Sequence, residues 1–244
     1  TMASLAAAGF DSYLPAFAKM IPRLISAYDG TPASNPLRAK LAKQITVLRQ
    51  WNYRWGINSV ATSLATFWGT DIFLRVGTDA QASGISPEDY VMQHASPEEL
   101  LQSLATASNK LTADFGTWQT PWGKINRFQR LDDSIYHPHF DDSKPSIAVP
   151  FTSSTWGSLA AYGSRPYPNT KRWYATFGNS FVCAVEFGPR VRAWAVSTGG
   201  ESGHPDSAHF DDQAVRYVTG NLRVVYFYKS QLQDHIQREY HPGN

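Results

Sequence analysis

The chain has 244 residues, of which 42% are hydrophobic and 17% are charged, and this composition excludes a disordered or fibrous protein. Its formal net charge is +2 without a long basic run, so it lacks the phosphate-neutralising surface that nucleic-acid binding requires. No apolar stretch approaches the roughly 20 residues that span a bilayer, and we therefore expect neither nucleic acid nor a membrane as a partner.

The first residues lack the basic and apolar regions of a signal peptide, which indicates either a cytosolic chain or one that is already processed. The one cysteine, Cys183, excludes an internal disulfide. It lies in a strand pattern without a basic neighbour, so we expect a small buried residue and not a reactive thiol. Eight Trp, twelve Tyr and thirteen Phe are consistent with a large core or with an extensive docking surface.

Apolar residues at helical spacing dominate the first part of the chain and predict a helical layer. Pro15 falls in the tolerated first turn of the first predicted helix, and Pro22 inside it predicts a kink. The predicted helices run from a cap at Asp11 or Ser12 to Tyr28, from Asn35 to Trp51, and from about Asn58 to Phe73, before a polar connector over 77–84.

The strongest local signal is the sequence Ser-Pro-Glu-Glu that begins at Ser96. A capping serine, a proline at the first helical position and an acid three residues after the cap form a capping box. A helix from Pro97 to about Ala113 is therefore predicted.

Beyond Asp114 the sequence changes to Trp, Gly, Pro and short alternating runs, which predict strands and loops. Residues 141–165 are rich in Ser, Thr, Pro and Gly and predict a long surface excursion, with a short strand over 146–151. A hairpin over 180–187 and 191–198 is apolar on both faces, which predicts that other elements of the protein pack against both faces. We thus expect a helical layer over 1–114, and core strands, loops and terminal helices over 115–244, without a flexible linker.

A polar, glycine-rich loop over 199–213 follows the hairpin. Ser207 is a candidate cap for a short helix through 211–218 that Gly220 ends, followed by a strand over 222–228 and a last helix over 230–239. The loop's polar residues are expected to hydrogen-bond the loop to itself and to cap the helix, a structural role that outweighs catalysis. These candidates are Glu201, Ser202, His204, His209, Asp211, Asp212 and Gln213.

Zinc binding is one alternative, because His137 and His139 precede a carboxylate pair and His204 and His209 offer further nitrogen ligands. The arrangement resembles half of the metallo-β-lactamase pattern, although Asp142 stands where a histidine is expected. It would make the protein a zinc-dependent hydrolase. A non-catalytic, aromatic-rich binding module is the other alternative.

Two kinds of nucleophile are disfavoured by their sequence context. An N-terminal threonine such as Thr1 can attack with its own α-amine as base, but it needs the end of a buried strand, and helix-favouring residues follow it. The Gly-x-Ser-x-Gly elbow of serine hydrolases does not occur.

Residues 199–205 and 207–213 resemble the carboxy-terminal signature of the penicillin acylase family, a Gly-Gln-Ser-Gly turn followed by Ser-Pro-His-Tyr-x-Asp-Gln. Residues 122–127 resemble the Trp-Gly-Asp-x-Asn-Arg segment of its acyl-homoserine-lactone acylase branch. Residues 48–54 are similar to its Leu-x-x-Trp-Asp helix, and residues 178–181 and 240–243 fit the same branch. The departures are Glu201 for Gln and Ala208 for Pro.

This resemblance implies an α+β fold, part of the αββα sandwich of an N-terminal nucleophile hydrolase. The chain would be the C-terminal portion of the β chain of a periplasmic or secreted amidase, cut autoproteolytically from a precursor. The nucleophile, its supporting residues and the calcium ligands precede the matched region, so no catalytic, cofactor-binding or metal residue is assigned here. The implied partners are the α chain, the rest of the β chain and a small N-acyl substrate, in quorum quenching or antibiotic metabolism.

Overall fold

The computed structural model describes residues 2–134, 139–236, 239 and 241. The chain divides into two compact units: Asp11–Gly178 forms the larger unit, and residues 1–10 together with 179–244 form the smaller unit. The composition boundary near Asp114 therefore falls inside the larger unit.

Long helices dominate the first half of the described chain, and the strands of the described residues all lie in the second half, which confirms the predicted α+β class. The helices are α1 (Met2–Gly9), α2 (Pro15–Gly30), α3 (Pro36–Arg49), α4 (Val60–Ala82), α5 (Pro87–Gln93), α6 (Pro97–Phe115), α7 (Trp122–Ile125), α8 (Ala214–Thr219) and α9 (Lys229–Leu232). The strands are β1 (Arg127–Phe128), β2 (Ile147–Ala148), β3 (Tyr162–Pro166), β4 (Trp173–Gly178), β5 (Phe181–Glu186), β6 (Arg192–Ser197) and β7 (Arg223–Val225). In the described residues, no helix is long and apolar enough to cross a membrane.

Helix α4 is the central element of the larger unit and packs against α3, α5, α6 and α7. The fully buried Trp68 on α4 donates its indole N–H to the Leu100 carbonyl on α6 at 3.1 Å. The predicted end at Phe73 and the connector over 77–84 are wrong, because α4 continues to Ala82. Val76 and Ala80 are buried, so packing extends the helix across Gly77.

The Ser96 prediction is confirmed at the start of α6. The Ser96 Oγ accepts the Glu99 N–H at 3.2 Å, and Glu99 Oε2 accepts the Ser96 N–H at 2.7 Å. The predicted cap of the first long helix is wrong, because α2 begins at Pro15 without a side-chain cap. Asp11 instead accepts a hydrogen bond from Arg54 at 2.6 Å.

The segment over 122–127 connects the helices to the second half of the larger unit. Gly123 N donates to the Ile57 carbonyl at 2.8 Å, and a Cβ at this position would lie 3.0 Å from that oxygen. Asn126 is fully buried, and its Nδ2 donates to the carbonyls of Val149 and Phe151 at 2.9 and 2.8 Å. The predicted surface excursion over 141–165 is therefore wrong in part, since Asn126 draws this segment into the core.

The hairpin of β3 and β4 was not predicted. Its turn is held by Asp142, whose Oδ2 accepts the Lys171 N–H at 2.8 Å and whose Oδ1 accepts the Tyr174 hydroxyl at 2.9 Å. Asp142 is thus a structural carboxylate that joins the loop before β2 to β4.

The smaller unit contains the antiparallel sheet β5-β6-β7. The predicted hairpin is confirmed, with Phe181 opposite Ser197 and Glu186 opposite Arg192. Ala184 is buried, whereas Phe181 and Cys183 are exposed. The prediction that Cys183 is buried is wrong, because alternation along β5 places it on the same face as the exposed Phe181. The predicted cover on both faces of this hairpin is incomplete. Within the described residues, Phe181 and Cys183 on one side of β5 are exposed.

Candidate functional site

The loop over 199–213 connects β6 to α8 in the smaller unit and is closed by backbone hydrogen bonds. Gln213 N donates to the Gly199 carbonyl at 2.8 Å, and Ser202 N donates to the His209 carbonyl at 3.0 Å. Gly199 has a φ of 90°, in the left-handed region that glycine adopts readily. A Cβ on Gly200 would lie 2.1 Å from the His209 carbonyl oxygen, so only glycine fits there.

Two serines hold the turn at the centre of this loop. The Ser202 hydroxyl accepts the His204 N–H at 3.1 Å, and the Ser207 hydroxyl accepts the His209 N–H at 3.1 Å. The prediction that Ser207 caps a helix is wrong, because α8 begins at Ala214. Gly220 ends α8 with a φ of 67°, as predicted.

Glu201 is the centre of a hydrogen-bond network that attaches the loop to the sheet. Its Oε1 accepts hydrogen bonds from Gln213 Nε2 at 2.8 Å, Arg223 Nη2 at 2.7 Å and Ser197 Oγ at 2.9 Å. The hydrogen bond from Gln213, followed by those from Arg223 and Ser197, lowers the pKa of Glu201 and keeps it ionised at neutral pH.

Gln213 completes this network from the other end of the loop. Its Oε1 accepts the Ser197 N–H at 3.0 Å and the Arg223 Nε–H at 3.3 Å. The side chains of Glu201 and Gln213 both bind within the loop and to the adjacent strands, and the expectation of a helix cap is wrong for Gln213, which makes no side-chain cap of α8. The sequence reasoning missed Ser197 and Arg223, because only the pairing of β6 with β7 brings them together.

His209 and Asp212 form a surface pair, with Nδ1 and Oδ2 2.9 Å apart and the histidine side chain 62% exposed. The Ser202 hydroxyl contacts the His204 amide, and in the described part of the chain it makes no hydrogen bond to the His209 ring. The carbonyl of Asp211 accepts the Ala214 N–H at 3.0 Å. These hydrogen-bond partners of Ser202 and His209 thus lie within the loop itself.

The described candidates for zinc ligands belong to two different units. His137 lies outside the described residues, and His139 Nδ1 lies 3.1 Å from Asp132 Oδ2 in the larger unit. His204 and His209 belong to the loop of the smaller unit. Within residues 2–134 and 139–236, no group of three or more His, Cys, Asp or Glu side chains could hold a metal ion. Thr1 also lies outside the described residues.

The sequence profile described as penicillin amidase matches residues 1–234 and so includes both this loop and the segment over 122–127. The chain belongs to the penicillin amidase family. This confirms the family resemblance seen in the sequence. No protein in the curated set matches the chain.

One similar solved structure is a thermostable penicillin G acylase from Alcaligenes faecalis, with 13% sequence identity and a TM-score of 0.47. The alignment covers 95% of this chain and 47% of that acylase chain. This penicillin amidase family member therefore spans about half the length of the acylase that it matches.

The closure of the loop over 199–213 is testable at two of its glycines, Gly200 and Gly203. We expect Gly200→Ala to destabilise the loop by about 1–3 kcal/mol, because the added methyl group overlaps the backbone of His209 and Phe210. Gly203→Ala is the matched control, since nothing lies within 4 Å of its Cβ position. Hydrogen–deuterium exchange over 199–213 should rise in Gly200→Ala only. Equal exchange in both variants would show that the close contact of Gly200 with His209 and Phe210 does not keep the loop closed.

Proposed function

We propose that residues 1–244 are the C-terminal portion of the β chain of an acylase that hydrolyses the amide bond of N-acyl substrates, either acyl-homoserine lactones or penicillin-type amides. The observation that carries this proposal is the match of the penicillin amidase profile to residues 1–234. The chain serves as scaffold within an αββα sandwich.

The reaction is acyl transfer to an N-terminal serine of a companion segment, with its own α-amine as base. An oxyanion hole stabilises the tetrahedral intermediate, and water then hydrolyses the acyl-enzyme. The scaffold role is supported by the loop over 199–213, whose polar side chains bind one another and the adjacent strands. Oε1 of Glu201 accepts hydrogen bonds from three donors, which supports a structural role for this carboxylate.

The partners are the rest of the β chain and the α chain of the same precursor. The smaller unit supports this part of the proposal, because it exposes many large apolar side chains for a segment of its size. Two of them lie at the two ends of β5: Phe181 is 57% exposed and Phe187 is 85% exposed. The others are Leu5, Val215, Val224, Tyr226, Phe227, Leu232 and Ile236.

An upstream part of the β chain would bury these side chains and complete the sheet. We further place the assembled enzyme in the periplasm or outside the cell, after autoproteolytic processing, and any calcium site in the upstream segments. Its role would be quorum quenching or antibiotic metabolism, according to the acyl substrate.

N-terminal sequencing and intact mass of every chain that co-purifies with this one test the proposal. We expect a companion chain that begins with Ser, Thr or Cys, because the reaction needs a nucleophile with a free α-amine. Purification of this chain alone from cells that express the whole gene would contradict it.

A further inference from the structure

The sheet of the smaller unit ends at β5, where only one side of the strand is paired. In the order β5-β6-β7, the described residues pair β5 with β6 alone. Thr198 N donates to the Ser180 carbonyl at 2.8 Å, and the register then runs through β5 without a shift. Backbone groups in an antiparallel pair bond to the partner at every second residue and point away from it at the residues between. The N–H and C=O groups of Phe181, Cys183 and Val185 therefore point away from β6 and form a free edge.

Strand β5 lacks the features by which proteins usually protect a free edge. Protected edge strands are short, bulged or supplied with Lys or Pro, because an open edge pairs with other extended chains. β5 has six residues, contains neither Lys nor Pro, and its one charged residue, Glu186, is in an ion pair with Arg192. β7, at the other edge of the sheet, has only three residues and begins with Arg223. Of the two edges, β5 is thus the one suited to accept another strand.

The side chains beside this edge indicate the chemistry of the strand that it accepts. Phe181 and Cys183 are exposed, and alternation along β5 places Val185 on the same face. Apolar residues at alternate positions of an incoming strand would lie next to this row. The turn after β5 carries the exposed Arg190, which lies over the Tyr228 ring at 4.6 Å. An acidic residue at that end of the incoming strand would complement its charge.

We propose that the free edge of β5 binds an extended strand of the upstream part of the β chain, with alternating apolar residues and an acidic residue near Arg190. This inference rests on the proposed function, which supplies an upstream segment from the same precursor. A second copy of this chain that paired edge to edge would leave Phe187 exposed in both copies, because edge pairing covers the backbone and not the face of the sheet. A longer upstream segment can pair with β5 and also cover the exposed aromatic side chains.

Amide hydrogen exchange in the assembled enzyme, read residue by residue, tests this pairing. The register makes Ala184 the internal reference, because its N–H points toward β6 and is already paired in the hairpin. We expect the amides of Cys183 and Val185 to exchange within about tenfold of the Ala184 rate, since both would donate to the incoming strand. This measurement needs no variant and so does not depend on whether a variant folds.

Cys183→Pro removes one outward donor and leaves the donors that point toward β6 in place, and proline is tolerated where an edge N–H faces outward. It should weaken the binding of the upstream segment at least about tenfold relative to Cys183→Ala, which keeps the donor. Val224→Pro removes the outward donor of β7 and should change the binding less than about twofold. Equal binding by Cys183→Pro and Cys183→Ala would overturn the proposal.

The exchange experiment also separates this inference from the proposed function. Assembly and turnover with Cys183 and Val185 exchanging more than about a hundredfold faster than Ala184 would overturn the β5 pairing and leave the acylase proposal intact. Protected amides without turnover would support the pairing and contradict the acylase proposal. Protection that disappears on dilution while the mass of the particle halves would assign the edge to a second copy and overturn the inference. Failure of the two segments to assemble would overturn both.

Discussion

Hydrolysis of an N-acyl substrate is expected only when the chain is produced together with the upstream segment that begins with the nucleophile. The loop over 199–213 contains clustered serine, histidine and carboxylate side chains. Within the described residues, Ser202 makes no hydrogen bond to the His209 ring. Without an activated nucleophile, the isolated chain should show no turnover above buffer, whereas an assembled enzyme typically reaches about 1–10³ s⁻¹. Release of acyl product from acyl-homoserine lactones and penicillin G measures the difference.

Two controls make this prediction decisive. A companion segment that begins with alanine instead of its nucleophile should still assemble with the chain but should not restore turnover. Thr1→Ala in the chain should leave the activity of the assembled enzyme unchanged. Turnover by the isolated chain that Thr1→Ala abolishes would overturn the proposal and assign the nucleophile to Thr1.

Asn126→Leu is expected to destabilise the larger unit strongly. The Asn126 side chain is fully buried and donates to the carbonyls of Val149 and Phe151. Leucine has nearly the same volume but no donor, so both carbonyl oxygens lose this partner inside the core. A buried acceptor left unpaired costs about 1–3 kcal/mol. The substitution also removes Asn126 Oδ1, which has no partner among the described residues, so the expected loss is about 2–4 kcal/mol.

Urea unfolding followed by tryptophan fluorescence measures this loss, because Trp194 is in the smaller unit and the other seven tryptophans are in the larger one. Asn109→Leu, at an exposed position of α6, is the matched control and should stay within about 0.5 kcal/mol of the wild type. A similar midpoint for both variants would show that Asn126 does not hold the segment around β2.

The parts of the fold that the sequence predicted well are those whose determinants lie within a few residues. The capping box at Ser96 depends on a hydroxyl and a carboxylate three residues apart, so α6 was located correctly. The hairpin of β5 and β6 likewise follows from alternation on either side of a tight turn. The end of α4 was misplaced, because burial of Val76 and Ala80 against other helices outweighs the local preference for a connector.

In the candidate loop, too, the sequence predicted what depends on neighbouring residues and missed what depends on distant ones. The sequence placed its polar residues in one loop and favoured a structural role for them, but it could not identify their partners. Ser197 and Arg223 meet Glu201 only because β6 pairs with β7 in one register.

The sequence by itself determined the family, the α+β class, the capping of α6 and the β5–β6 hairpin, because these depend on motifs and spacings that are contiguous in the chain. Only the tertiary structure decided that Asn126 anchors the segment around β2, that Asp142 holds a hairpin turn and that Cys183 is exposed. It also decided the partners of the loop's serine and histidine, which are the His204 amide for Ser202 and the Asp212 carboxylate for His209. The physical reason is that hydrogen-bond partners and burial are set by residues distant in sequence, which become neighbours only when helices and strands pack.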